Sequence, residues 1–216
     1  MAVLFDMDGT LVDSGASVSR AWQWAATELG LPFSAFEPYL HGIPADQVLG
    51  RVVPWLPAAE RSALAAQLLA RQTADTEGVV AVPGSAAALA AVADGSPARW
   101  AVVTSADRAL AEARLRAAGL PLPRQLITAE LTPAGKPAPD PYLYAARRLG
   151  AAAARCLVIE DSAAGVRSGR AAGCPVLGVL TTTAELAGVD WAVSDLTEVR
   201  FSADGTGVHA RLRASG

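Results

Sequence analysis

Five short, unbroken apolar runs, Val3 to Phe5, Trp100 to Thr104, Leu126 to Thr128, Cys156 to Ile159 and Val176 to Leu180, alternate with alanine-rich stretches of helical character. A strand with one face in water alternates apolar and polar residues. A run that is apolar at every position must instead be covered on both faces, which is the pattern of parallel strands flanked by helices. Stretches such as Ala58 to Ala74 and Ala106 to Ala118 supply those helices, because alanine gives up little conformational freedom in a helix. The fold class is therefore α/β, a parallel sheet between helical layers. A chain of 216 residues is long enough for one full-sized domain, or one domain carrying a smaller insert.

One interval breaks the alternation. From Gly15 to about Thr76 no strand-like run occurs, and three helices are expected instead: Ser17 to Leu29, Ala45 to Val53, and Pro57 to Asp75, the last with proline at its start. Pro32, Pro38, Pro44 and Pro54 punctuate the links between them. An all-helical stretch between the first strand and the next βα unit reads as an inserted cap, giving an α/β core of residues 1–14 and 79–216 and a helical insert of residues 15–78. Gly and Pro near both junctions, Asp13 to Gly15 and Gly78 to Gly84, provide turn and hinge geometry.

Charge narrows the partners. A formal net charge of −3 removes the electrostatic reason to expect nucleic acid or an anionic membrane, leaving small molecules as the expected ligands. No apolar run reaches the roughly 18 to 20 residues needed to span a bilayer. Asp6 and Asp8 stand where a signal peptide would be apolar, so a cytoplasmic protein is expected; the oligomeric state is open, with a monomer favoured. Cys156 and Cys174, each among apolar residues, read as buried thiols in a reducing compartment.

Polar residues of unusual kind sit where four of these segments end. The first strand runs into Asp6, Asp8 and Thr10, the second into Thr104 and Ser105; a loop after the third holds Lys136, and the fourth ends in Glu160 and Asp161. In an open parallel sheet the C-terminal strand ends share one edge, so these groups converge although they are distant in sequence. Residues two apart on extended chain project to one side, so Asp6 and Asp8 can face a common volume, with Asp161 as a third carboxylate. Like charges that close raise one another's pKa unless a cation neutralises them. Oxygen ligands alone suit a hard divalent ion, most simply Mg²⁺. Lys136 and the Thr104 hydroxyl suit the oxygens of a phosphate, and one aspartate can then serve as nucleophile while its neighbour moves the leaving-group proton.

These residues carry a resemblance. D-M-D-G-T-L-V-D-S from Asp6 to Ser14, V-V-T-S at 102–105, G-K-P at 135–137 and V-I-E-D-S-A-A-G-V at 158–166 resemble, in order, the four motifs of haloacid dehalogenase superfamily phosphatases. The resemblance implies a Rossmann-like core of strand order 5-4-1-2-3 with a helical cap after the first motif. It implies Asp6 as nucleophile and Asp8 as general acid and base. Mg²⁺ would be held by the side chains of Asp6 and Asp161 and the backbone carbonyl of Asp8, with Thr104 and Lys136 on the phosphoryl group and Glu160 in support. Dehalogenases lack the second aspartate, so Asp8 points to phosphoryl transfer. β-Phosphoglucomutases carry a cap histidine at the position of Val18, which speaks for hydrolysis over mutase activity. The run from Trp100 to Arg108, L-H-G at 40–42 and D-T-E-G-V at 75–79 are similar to the branch containing 2-deoxyglucose-6-phosphate and glycerol-phosphate phosphatases. A small sugar or polyol phosphate is the expected substrate, with a sugar-phosphate mutase or a phosphoglycolate phosphatase as alternatives.

Plainer roles compete for several residues. An isolated D-x-D-G-T could open a calcium loop, but Thr10 and Ser17 stand where such a loop wants acidic groups. Thr104 or Ser105 could cap the following helix, Glu160 could be a buried ion-pair partner, and Arg108 could begin a solvated helix. His41 is either a loop residue or a substrate contact from the cap. Trp22 and Trp24, two apart on a helix, point to different sides, so one belongs to the core of the insert. The segment after residue 200 reads as a terminal hairpin or coil and carries no assigned chemistry.

Overall fold

The computed structural model describes residues 1–40, 43–93 and 99–213. In chain order its strands and helices are β1 (Ala2–Phe5), β2 (Val12–Asp13), α1 (Gly15–Glu28), α2 (Ala45–Val52), α3 (Ala58–Ala74), β3 (Val80–Ala81), α4 (Ser85–Ala93), β4 (Trp100–Val103), α5 (Arg108–Ala117) and β5 (Leu126–Ile127). They continue with α6 (Asp140–Arg148), β6 (Cys156–Glu160), α7 (Ala163–Ala171), β7 (Val176–Val179), β8 (Trp191–Val193), β9 (Val199–Asp204) and β10 (Gly207–Leu212). The helices expected from the sequence are present with ends shifted by one or two residues.

Six strands form one sheet in the order β5-β4-β1-β6-β7-β8, every neighbouring pair parallel. Five of them stand in the order that the family resemblance implies, and β8 extends the sheet beyond β7. The sequence reading missed β8 because two of its three residues are exposed, so it offers no unbroken apolar run. All four residues of β1 are buried, as a central two-sided strand requires. Val3 and Phe5 face one apolar cluster with α4 and α5, whereas Ala2 and Leu4 face a second with α6 and α7. Each large apolar side chain so buried contributes about 1.5–3 kcal/mol.

The terminal hairpin β9-β10 packs against α4, and Phe201 meets Phe5 with ring centroids 5.6 Å apart. Helices α1, α2 and α3 surround a third apolar cluster of their own, containing Trp22, Phe36, Leu49 and Leu68. Trp22 packs on Phe36 at 5.2 Å, while Trp24, partly buried at the edge of the same cluster, lies under the Arg71 guanidinium at 3.8 Å. Both chain crossings into this helical unit run side by side: β2 and β3 pair antiparallel, Val12 with Ala81 and Asp13 with Val80. These two-residue strands are too short to show a period and so were not expected.

Candidate active site

Because the sheet is parallel, β1, β4 and β6 deliver Asp6, Thr104 and Glu160-Asp161 to one edge, and the loop after β5 brings Lys136 to the same place. Asp6, Thr104, Lys136, Glu160 and Asp161 are all buried. Lys136 Nζ donates to the Asp6 carboxylate, to Glu160 Oε1 at 2.5 Å and to the Val103 carbonyl at 3.1 Å, so its three protons are all used.

Glu160 is equally occupied. Oε1 also accepts from the Tyr142 hydroxyl at 2.7 Å, while Oε2 accepts from the backbone N–H and hydroxyl of Ser162 at 3.1 and 3.0 Å. Four donors thus hold this carboxylate against Lys136, Tyr142 and Ser162. Ser162 also caps α7, its hydroxyl accepting from Gly165 N–H at 3.0 Å. Gly165 must lack a side chain, since a Cβ there would lie 1.7 Å from Glu160 Oε1.

Oxygen atoms of Asp6, Glu160 and Asp161 lie within 4.8 Å of one another. Three carboxylates face a single ammonium, and the imbalance shows in their acidities. Burial, then the neighbouring Glu160 charge, pushes the Asp6 carboxyl well above its ordinary range and that of Asp161 to about 7. For Lys136, burial acts to lower the pKa, but the Asp6 and Glu160 charges outweigh it and the net direction is upward. Lys136 is thus a fixed cation, and a further cation beside Asp6 and Asp161 would favour their ionised forms. With Glu160 committed to its four donors, the oxygen donors left are those two side chains, a set that fits a hard divalent ion. Thr182, absent from the sequence reading, orients Asp161 through a 2.7 Å hydrogen bond to Oδ2. The threonine run just after β7 was its sequence signal. Gly9, at φ +84°, takes a turn that side chains resist, and a Cβ there would lie 2.0 Å from Asp161 Oδ2.

Asp8 sits apart from this cluster. Its Oδ1 accepts from the Ser14 hydroxyl at 2.7 Å and lies 2.9 Å from the Arg114 guanidinium. Ser14 stands at the N-cap of α1 but directs its hydroxyl to Asp8 and not to the helix. The expectation that Thr104 or Ser105 caps the next helix is corrected: Asp107 caps α5, accepting from Leu110 N–H at 2.8 Å, and Thr104 instead accepts from Ala106 N–H at 3.0 Å. Arg108 does begin that helix as an exposed residue, paired with Glu112. His41 lies outside the described residues.

A cavity of about 360 Å³ opens over these groups. Asp6, Asp8, Thr104, Ser105, Lys136 and Asp161 line one side, and Val18, Trp22, Leu40, Ile43 and Leu69 of the helical unit line the other. The sequence reading did not single out Arg114, Gln72 or Tyr142, all three buried around this cavity or beneath it.

Among proteins of known function, Hexitol phosphatase A of Escherichia coli (strain K12) is 43% identical over 177 residues, covering 82% of this chain and 81% of that protein. Glycerol-1-phosphate phosphohydrolase 2 of Saccharomyces cerevisiae is 29% identical over 198 residues, covering 84% and 75%. Among solved structures, a HAD family hydrolase from Deinococcus radiodurans with bound phosphate and sodium superposes with TM-score 0.67 at 30% identity, covering 91% and 92%. A hydrolase from Pseudomonas syringae shares the fold at TM-score 0.81 and 23% identity, covering 91% and 94%. The model of the haloacid dehalogenase-like hydrolases matches residues 1–173, a span that holds the whole edge cluster from Asp6 to Asp161, and the chain belongs to that family.

Proposed function

We propose that this hydrolase cleaves a small phosphorylated sugar or polyol, with Mg²⁺ and through a phosphoryl group carried transiently on Asp6. The chain is a phosphoric monoester hydrolase. The observation that carries the finer reading is the juxtaposition of a buried carboxylate, Asp6, and a fully engaged ammonium, Lys136, on the floor of a cavity of small-ligand size. The 43% identity to a hexitol phosphatase supports a polyol phosphate as the substrate class.

In this reading Asp6 attacks phosphorus in line with the ester oxygen. Asp8 gives its proton to the leaving oxygen and later takes one from the water that hydrolyses the phosphorylated Asp6. Lys136 and the Thr104 hydroxyl offset charge on the phosphoryl oxygens, and Ser105 lines the phosphate end. Asp6 and Asp161 side chains, with the Asp8 backbone carbonyl, would hold Mg²⁺, which supplies charge neutralisation between nucleophile and phosphate. Glu160 keeps Lys136 in place. Residues 15–78 act as a cap over the cleft, hinged at the β2-β3 pair, and exclude water during transfer. Val18 lines the cavity and offers no base, which supports hydrolysis over mutase activity.

The test is a panel of hexitol, hexose and glycerol phosphates with 2-phosphoglycolate, assayed with Mg²⁺ and again after chelation. Polyol or sugar phosphates should head the panel, and chelation should abolish turnover reversibly. Preference for 2-phosphoglycolate, or isomerisation of a hexose 1-phosphate without phosphate release, overturns the substrate reading; full activity in chelator overturns the metal.

A further inference from the structure

Arg114 lies on α5, only 4% exposed, and reaches across the cavity wall to two different parts of the chain. One guanidinium nitrogen sits 2.9 Å from Asp8 Oδ1, and another donates to Gln72 Oε1 at 2.6 Å. Gln72 is itself buried, near the end of α3 in the helical unit. The remaining Nε has no partner among the described residues, so Asp8 is the only anion found against this buried charge. Asp8 is partly exposed, so the desolvation cost falls on the Arg114 guanidinium, a cost that an apolar residue of similar volume would avoid.

Among the described residues, both side-chain polar contacts to Asp8, from Arg114 and from the Ser14 hydroxyl, fall on Oδ1. One hydrogen bond, from Ser14, and one ion pair, with Arg114, on the same oxygen restrict rotation of the carboxyl group and leave Oδ2 as the oxygen available for proton transfer. We propose that Arg114 is a positioning residue for Asp8, and that Gln72 makes this positioning depend on the helical unit. The inference rests on the reading of Asp8 as proton donor. As the bond between Asp6 and phosphorus forms and the ester P–O bond breaks, the electron pair of that bond goes to the leaving oxygen, which takes the proton from Asp8 Oδ2. The Asp8 carboxylate so formed lies beside the Arg114 guanidinium, whose charge is already in place to stabilise it. Gln72 holds the opposite edge of the guanidinium, so separation of α3 from α5 would remove one of its two anchors.

The readout is leaving-group dependence. A p-nitrophenolate ion departs without a proton, whereas an alkoxide needs one, and kcat/KM reports only steps up to departure of the alcohol. For R114Q, kcat/KM on the best alkyl phosphate of the panel should fall about 10²-fold, within the range general acid catalysis supplies, and on p-nitrophenyl phosphate by only a few-fold. R114K should recover part of the difference. Q72L should shift the aryl-to-alkyl ratio the same way by a smaller factor, and it carries the test with R114K if R114Q does not fold by circular dichroism. Equal losses on the two esters, or an unchanged ratio in R114K and Q72L, overturn the proposal. A wild-type enzyme inactive on both esters would instead remove the phosphatase reading beneath it.

Discussion

Lys136 and Trp22 line the same cavity, yet they are held there by opposite means. Lys136, on the loop after β5, is fixed by three directional hydrogen bonds, and its partner Glu160, at the end of β6, by three more donors besides it. Trp22 is fixed by shape alone, packed on Phe36 in an apolar cluster that belongs to α1–α3 and their connections. The floor must put charges at set positions where phosphorus changes partners, and a small displacement is costly there. The roof needs only to close over a ligand and keep water out, a task that tolerates many packings.

This contrast can be broken at several points. On the floor, Asp6→Asn keeps shape and removes the nucleophile, so turnover of p-nitrophenyl phosphate should drop by about 10³-fold or more with an unchanged melting curve. Retained turnover would remove the nucleophile assignment. Lys136→Arg keeps the charge but replaces a compact ammonium with a planar fork that cannot reproduce the bonds to Asp6, Glu160 and the Val103 carbonyl, and about a 10²-fold loss of kcat is expected. A silent substitution would mean that charge alone suffices and that the floor is as tolerant as the roof.

In the roof, Trp22→Ala opens a hole in the third cluster and should cost about 3–5 kcal/mol, read as a lowered midpoint in denaturant. If the roof is energetically its own unit, the loss appears as an early separate transition while the floor melts as before. The smallest effect concerns the second apolar cluster, to which Cys174 belongs. Burial, then the nearby Cys156 thiol, pushes the Cys174 thiol to about 12, so the thiolate is scarce well above neutral pH. Native protein at pH 8 should resist iodoacetamide, becoming reactive only in denaturant.

Most of the floor was legible before any coordinates. Asp6, Asp8, Thr104 and Asp161 stand at or just beyond the ends of apolar runs and Lys136 in the loop that follows another, and the C-terminal ends of parallel strands share one edge. Lys136 was conspicuous for another reason, being the one lysine among 18 basic residues. The same bias concealed Arg114, which looks like any other arginine on an alanine-rich helix until its side chain is seen buried against Asp8. Tyr142 and Gln72 were hidden likewise, since each matters through one contact with a residue far away in the chain. The capping role went to Asp107 and not to Thr104 or Ser105, because several suitable caps preceded the helix and only the path of the backbone chose among them.

The sequence by itself determined the sheet, its parallel sense and which groups meet at its edge, because periodicity and strand polarity are local properties of the chain. The tertiary structure decided the rest. It surrounded Glu160 with four donors including the lysine, added β8 at an edge where burial is partial, and set a core arginine between Asp8 and the helical unit. Those outcomes depend on which side chains lose their water together, and that is settled only when elements distant in sequence pack against one another.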